Sequence, residues 1–241
     1  MEFTLPVHQA RFERLAKLKF GQTRITDVGS LRKVQLADDM ADEVEKLLLV
    51  GSWHKLLNIH DPTICSLTLE VLASFEFDHS YAHFDIVGAI QFRAFAQHHS
   101  MSVTQFSTRL GLYDEEYTET EEYESLPIDM SGLSPKEAYK ILGGKGSVNG
   151  RSDSTGVINK QELLYLYSMV QNEPVHLGHI LAEYLKHQGR YPRLGVIFSG
   201  PYFTRFILGM GLRDTISGAE KTIIPAPLGL ETMRLMGLVN K

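Results

Sequence analysis

Apolar residues recur at helical spacing along most of this chain. Between Ile64 and Phe75 they fall three and four positions apart, and the preceding Asp61-Pro62 pair is typical of a helix start. Ser102 and Gln105 form a capping box that opens a further helix, which Gly111 ends. The same periodicity predicts helices at residues 7–20, 38–50, 134–142, 159–170, 175–187, 201–210 and 230–236. We therefore predict a mainly helical fold.

One stretch alternates instead of repeating at helical spacing. Ile90, Phe92 and Ala94 point to one side if the chain is extended there, which predicts a β-strand over residues 89–97. We expect it to pair with residues 82–87. The predicted fold class is therefore mainly α, a helical domain with one small β-hairpin.

The helical stripes also predict a core and a boundary. We expect five side chains to be buried against one another: Trp53, Leu57, Leu67, Leu72 and Phe75. Residues 143–156 contain five glycines and read as a linker. This divides the chain into a helical domain with the small hairpin, residues 1–142, and a helical C-terminal subdomain, residues 157–241.

Composition narrows the class of protein. The 241 residues are 43% hydrophobic and 22% charged, which is ordinary for a globular chain. No apolar run approaches the roughly 18 residues that a membrane span needs, and the first residues lack the pattern of a secretory signal. The single cysteine, Cys65, excludes an internal disulfide and reads as a buried apolar residue. We expect an intracellular protein of the nucleus or cytoplasm, with no membrane partner.

Charge is distributed in blocks. Residues 1–36 carry seven Lys or Arg against three Asp or Glu, whereas residues 37–124 carry four against seventeen. The acidic block ends in an acidic strip, defined here as residues 114–124, with seven carboxylates: Asp114, Glu115, Glu116, Glu119, Glu121, Glu122 and Glu124. Such a run is either a solvated loop or frayed helix, or a docking surface for a basic partner. In the basic block, the candidate nucleic-acid-binding residues are Lys17, Lys19, Arg24, Arg32 and Lys33.

Motifs of enzymes and metal sites are incomplete. The glycines around Lys145 do not have phosphate-loop spacing, and a predicted helix rather than a strand precedes them. The pairs His79/His83 and His176/His179 have ligand-like spacing, but no second soft ligand accompanies them, and we interpret them as surface or capping histidines. No serine stands in a nucleophile elbow. We expect no catalytic residue, no metal and no cofactor.

Residues 101–112 are typical of the first helix of a helix-turn-helix unit, which ends in Leu-Gly-Leu. A basic recognition helix should follow, yet the acidic strip comes next. This arrangement argues against duplex DNA binding through the unit and favours a structural helix.

Several segments resemble the Athila-type plant retrotransposon proteins encoded in the first open reading frame, in the gag region. The similarity is carried by Gly51-Ser52-Trp53, Leu67-Thr68-Leu69-Glu70, Ile90-Gln91-Phe92-Arg93, residues 102–113 and residues 156–163. Residues 142–156 depart from it, because the family has a longer segment there. The plant mobile domain is a more distant likeness.

The resemblance implies a retroelement protein and assigns no catalytic residue. We therefore expect a non-enzymatic, gag-region-like protein that acts through self-association or through another protein. The alternative is a nucleic-acid-binding regulator with a helix-turn-helix-like unit, and an enzyme is a distant third.

Overall fold

The structure, a computed structural model, describes residues 1–22, 24–25, 52–78, 88–128, 138, 165, 167–169, 171–191, 195–212 and 222–227. The helices with defined bounds are α1 (Pro6–Leu15), α2 (Ser52–Leu57), α3 (Cys65–Ser74), α4 (Val103–Arg109), α5 (Glu115–Thr118), α6 (Glu121–Glu124), α7 (Leu177–Arg190) and α8 (Gly200–Gly209). The strands are β1 (Lys19–Phe20), β2 (Arg24–Ile25), β3 (Thr63–Ile64), β4 (Glu76–Asp78), β5 (Ala89–Ala94), β6 (Gln97–Ser102), β7 (Val196–Ile197), β8 (Thr222–Ile223) and β9 (Ala226–Pro227).

The fold is mixed α/β, so the prediction of a mainly helical fold with one hairpin is wrong. About 51% of the structure is helical and 17% is strand. The extra strands are two residues long, and they pair over large sequence separations: β1 runs parallel to β7, β2 parallel to β9, and β3 antiparallel to β8. A two-residue strand has no periodicity of its own, which is why the hydrophobic pattern missed these pairs.

The predicted strand exists as β5, but it ends at Ala94 and not at residue 97, and its partners differ from the prediction. β5 lies between β4 and β6 in an antiparallel three-stranded sheet, with Phe77 opposite Ile90 and Phe92 opposite His99. Both edges of β5 are therefore occupied, and the predicted partner, residues 82–87, lies outside the described residues. The sequence of β6 is polar and has no alternation of apolar residues, so the pattern gave no indication of this strand.

A buried carboxylate holds the turn of that hairpin. Phe95 and Ala96 join β5 to β6 with φ of 52° and 62°, the left-handed region that most side chains avoid. Their N–H groups donate to the Glu70 carboxylate on α3, at 3.0 and 2.9 Å. Arg93 completes the group, with its Nε 3.2 Å from Glu70 Oε1. These three contacts fasten the hairpin to α3.

Aromatic rings fill the centre of the core around α3. Phe75 lies 6.3 Å from Phe106 and 6.0 Å from Phe203, while Phe206 lies 5.1 Å from Phe92 and 4.9 Å from Phe106, measured between ring centroids. All five rings are buried. Burial of rings of this size is a dominant source of stability. The sheet, α3, α4 and α8 therefore share one core.

Most of the predicted core residues are confirmed as buried. Trp53, Leu67, Leu72 and Phe75 are all within the core, whereas Leu57 is only partly buried. Cys65 is also buried, as expected.

Parts of the chain on both sides of the predicted linker contribute to this core. Leu177, Leu185 and Phe203 belong to the same buried cluster as Leu15 and Leu72. Residues 143–156 lie outside the described residues, so the domain division itself stays a prediction.

Some helix boundaries lie where the local sequence predicts them, and others do not. The capping box of α4 is confirmed, with Ser102 Oγ accepting from Gln105 N–H at 3.0 Å and Gln105 Oε1 accepting from Ser102 N–H at 3.1 Å. The helix expected after Asp61-Pro62 begins only at Cys65, because the β-branched pair Thr63-Ile64 forms β3. The predicted helix 7–20 ends early, at Leu15. Predicted helices 38–50 and 230–236 lie outside the described residues.

Candidate functional site

The acidic strip is placed by the end of α4. Gly111 has φ of 73° and directs the chain away from the helix, and Leu112 N–H closes the helix end by donating to Ser107 O at 3.0 Å. Leu112 and Tyr113 then enter the core. The strip was predicted to be a solvated loop or a frayed helix, and the structure has short helices: residues 115–118 and 121–124 form the one-turn helices α5 and α6.

Two tyrosines anchor the strip. Tyr113 Oη donates to Val175 O at 2.8 Å and accepts from Leu177 N–H at 3.1 Å, at the start of α7. Tyr123 is 2% exposed, and its ring lies 4.8 Å from the His176 ring. Burial raises the pKa of Tyr113 well above its ordinary value. The strip is therefore attached to the core at both ends.

The seven carboxylates of the strip all belong to exposed residues. Within the described residues, the strip makes one ion pair, between Asp114 Oδ2 and Lys55 Nζ at 3.5 Å. The N-termini of α5 and α6 are tolerant of carboxylates, since negative charge there complements the helix dipole. Thr120 also caps α6, accepting from Tyr123 N–H at 3.3 Å. The backbone thus holds a dense negative charge in a defined place.

A cleft of about 750 Å³ borders the strip. It is lined by Gln105, Thr108, Arg109, Gly111, Tyr113, Asp114, Glu115, Glu116 and Gly209. Three of these are carboxylates, and Arg109 donates weakly from Nη1 to Gly209 O at 3.4 Å. The lining suits a cationic, hydrogen-bonding occupant.

The candidate basic residues are only partly described. Lys17 and Lys19 are exposed, and Lys19 lies in β1. Arg24 lies in β2, and Arg32 and Lys33 lie outside the described residues. Two arginines of the C-terminal part, Arg190 and Arg205, have internal partners: Arg190 pairs with Glu76, and Arg205 Nε lies 2.6 Å from Asp61 Oδ2.

His176 and His179 were predicted to be surface or capping histidines; both are buried, and the capping role is confirmed for His176. His176 is 1% exposed and caps α7, with Nδ1 accepting from His179 N–H at 3.1 Å. Burial, with a smaller effect of the neighbouring His179, lowers the pKa of His176 to about 4. A histidine followed three residues later by a second one at a helix start was the available signal. His79 and His83 lie outside the described residues.

Neither a metal site nor a recognition helix is visible in the part of the chain that the structure describes. No group of three His, Cys, Asp or Glu there could hold a metal ion. The helix after α4 is the one-turn α5, which carries Glu115 and Glu116, whereas a helix-turn-helix unit needs a longer helix that can enter the major groove. Among the described helices, none is long and apolar enough to cross a bilayer.

Comparison of the chain with family models, with curated proteins and with solved structures finds no match. The resemblance to the Athila-type proteins therefore stays a prediction.

Proposed function

We propose that this chain is a non-enzymatic, gag-region-like retrotransposon protein that acts through protein–protein assembly, with the acidic strip as the docking surface. The observation that carries the proposal is the exposure of all seven carboxylates on a segment held by two buried tyrosines, Tyr113 directly before it and Tyr123 within it. The partner is a second copy of the chain or another protein, and it presents a basic segment.

The energetics of exposed charge support this assignment. An exposed ion pair such as Lys55–Asp114 contributes little to folding, about 0–1 kcal/mol. The other six carboxylates repel one another, so their concentration in eleven residues does not benefit the monomer. A basic partner would relieve that repulsion and would be attracted to the surface over a distance set by the salt concentration.

The anchoring of the strip supports docking over simple solvation. Tyr113 and Tyr123 hold α5 and α6 against the core, so the carboxylates are arranged before a partner arrives. Preorganisation of this kind lowers the entropy that binding would otherwise cost. The adjoining cleft offers a polar recess for one basic side chain of the partner.

Two measurements test the proposal. Light scattering at increasing salt reports self-association, and fluorescence anisotropy reports binding of a labelled Lys/Arg-rich peptide. The strip variant Glu119→Gln, Glu121→Gln, Glu122→Gln should weaken the interaction about tenfold, as expected for the loss of three ion pairs.

The matched control is Glu2→Gln, Glu13→Gln, Glu173→Gln, which removes the same net charge from exposed residues elsewhere. This control should bind nearly as well as the original chain. Equal losses in the two variants would show that net charge, and not the strip, attracts the partner, and the proposal would then be wrong.

A further inference from the structure

The C-terminal ends of α1 and α7 meet at one end of the fold. Arg14 Nη2 donates to Gly189 O at 2.8 Å and to Arg190 O at 2.7 Å, so it caps the end of α7. Lys17 follows three residues later and is exposed. The tertiary structure therefore brings Arg14, and with it the neighbouring Lys17, to the end of α7 at Arg190, which is far away in sequence.

The β1–β7 ladder adds a lysine and an aromatic ring to the same neighbourhood. Lys19 lies opposite Val196, and Gly21 N–H donates to Ile197 O at 2.8 Å. Phe198 packs its ring directly over Gly21, where a Cβ would come within 2.1 Å of the ring. Ile197 is buried in the core, whereas Phe198, which directly follows β7, lies at the surface. It is 43% exposed.

Exposed rings continue along α7. Tyr184, His187 and Tyr191 are spaced at i, i+3 and i+7, which places them on one stripe, and all three are exposed. Tyr191 is 67% exposed, and its ring lies 5.5 Å from the His187 ring. Large aromatic side chains left in water at several adjacent positions are typical of an interaction surface.

The charge at this end is positive on balance. The Glu76 carboxylate is shared by Arg11, at 2.9 Å, and Arg190, so two guanidinium groups face one carboxylate. Arg14 binds only backbone oxygens in its described hydrogen bonds. Lys17 and Lys19 are both exposed and follow Arg14 closely in sequence. The surface therefore combines cations with uncovered rings.

From this combination we infer that the surface formed by Lys17, Lys19, Arg190, Tyr191 and Phe198 binds single-stranded nucleic acid. Lysine and arginine neutralise phosphates, and exposed rings stack on unpaired bases, whatever their sequence. In a duplex the base faces are stacked on one another, so a duplex could contact only the lysine and arginine side chains through its phosphates. An acidic protein segment would likewise leave the rings without a base to stack on.

This inference goes beyond the proposed function and concerns a different surface from the acidic strip. It also differs from the helix-turn-helix alternative, because it needs neither α4 nor a recognition helix. Substitution of the carboxylates in the strip should leave nucleic-acid binding unchanged, so either proposal can be wrong while the other holds.

The test is fluorescence anisotropy of the full chain with a labelled twelve-nucleotide oligo-U, oligo-dT and a duplex of equal length. Both single strands should bind more tightly than the duplex. Tyr191→Ala with Phe198→Ala should weaken single-strand binding about tenfold or more, in line with the loss of base stacking. Tyr191→Phe keeps the ring and should bind as the original chain does.

Lysine variants examine the electrostatic part. Lys17→Gln should lower the slope of log K against log salt by about 0.7, the value for one phosphate contact on a single strand. Lys55→Gln removes the same charge at the acidic strip and should leave the slope unchanged. Thermal melting of each variant checks that the fold persists.

Three results would overturn the inference. One is no binding of either single strand at low salt. Another is equal binding of duplex and single strand with no effect of Tyr191→Ala and Phe198→Ala. The third is competition by polyglutamate as effective as that by an oligonucleotide of equal charge, which would assign the surface to an acidic protein.

Discussion

Carboxylates play opposite parts in two regions of this molecule. Around α3, Glu70 is 4% exposed and accepts from two backbone N–H groups while pairing with Arg93. In the acidic strip, seven carboxylates are exposed, and the described residues offer them one ion pair. Charge around α3 is therefore structural, whereas charge in the strip is free for a partner. Four predictions examine that contrast, beginning with the largest expected effect.

Removal of the buried carboxylate should be the most costly change. Glu70→Ala leaves Arg93 and the N–H groups of Phe95 and Ala96 without their acceptor, and we expect a loss of about 3–5 kcal/mol in the free energy of unfolding. Urea denaturation measures it. The matched variant Glu116→Ala, in the strip, should change stability by less than about 0.5 kcal/mol. Similar losses in the free energy of unfolding for both variants would show that the carboxylates of the two regions do not differ in their structural role.

The apolar side of α3 should be nearly as sensitive. Leu72 is fully buried, so Leu72→Ala should cost about 2–5 kcal/mol through lost burial and the cavity left behind. Leu57→Ala makes the same chemical change at a partly buried position and should cost less. The midpoints of urea denaturation give both losses of stability, provided that the slope of the free energy of unfolding against urea concentration is unchanged. An unchanged midpoint for Leu72→Ala would mean that α3 is peripheral.

His176 connects the acidic strip to α7, because its ring lies 4.8 Å from the Tyr123 ring and its Nδ1 caps that helix. Its pKa of about 4 lies below the ordinary value of 6.5, so the unfolded chain binds the proton more readily. The contribution of unprotonated His176 to the free energy of unfolding should therefore be complete above pH 6.5. This free energy should fall by about 3 kcal/mol as the pH drops from 6.5 to 4.

His176→Asn keeps a capping side chain but removes the titration, so the fall over this range should become smaller. Urea denaturation at several pH values measures it, with His187→Asn as an exposed control. A wild-type pH profile in His176→Asn would show that another group is responsible.

The smallest effect is expected at the turn that Glu70 holds. Ala96 has φ of 62°, which glycine adopts without strain, and the N–H that donates to Glu70 remains after substitution. Ala96→Gly should therefore raise the free energy of unfolding by about 0.5 kcal/mol, after the entropy gained by the unfolded chain is allowed for. Ser100→Gly, in β6, should instead lower it. A lower stability of Ala96→Gly would contradict the strained turn.

The local signals in the sequence were sufficient for several elements. Ser102 and Gln105 specify the start of α4 because both hydrogen bonds of a capping box lie within four residues. Alternation identified β5, and helical spacing identified the buried side of α3 with Leu72 and Phe75. The acidic strip could be identified from the sequence directly, because a run of acidic residues is visible without knowledge of any tertiary contact. Its two short helices could not, because single turns carry too few residues for a periodic pattern.

Contacts between distant residues were decided only by the tertiary structure. Arg11 and Glu76 are 65 residues apart, and Arg190 lies 114 residues from the same carboxylate. Nothing near Glu70 in sequence indicates that it holds a turn 25 residues later. The two-residue strands, the burial of His176 and the contact of Arg14 with the Arg190 backbone are of the same kind. Local sequence determines which conformations a segment favours, whereas a partner for a charge or a strand edge depends on how the whole chain packs.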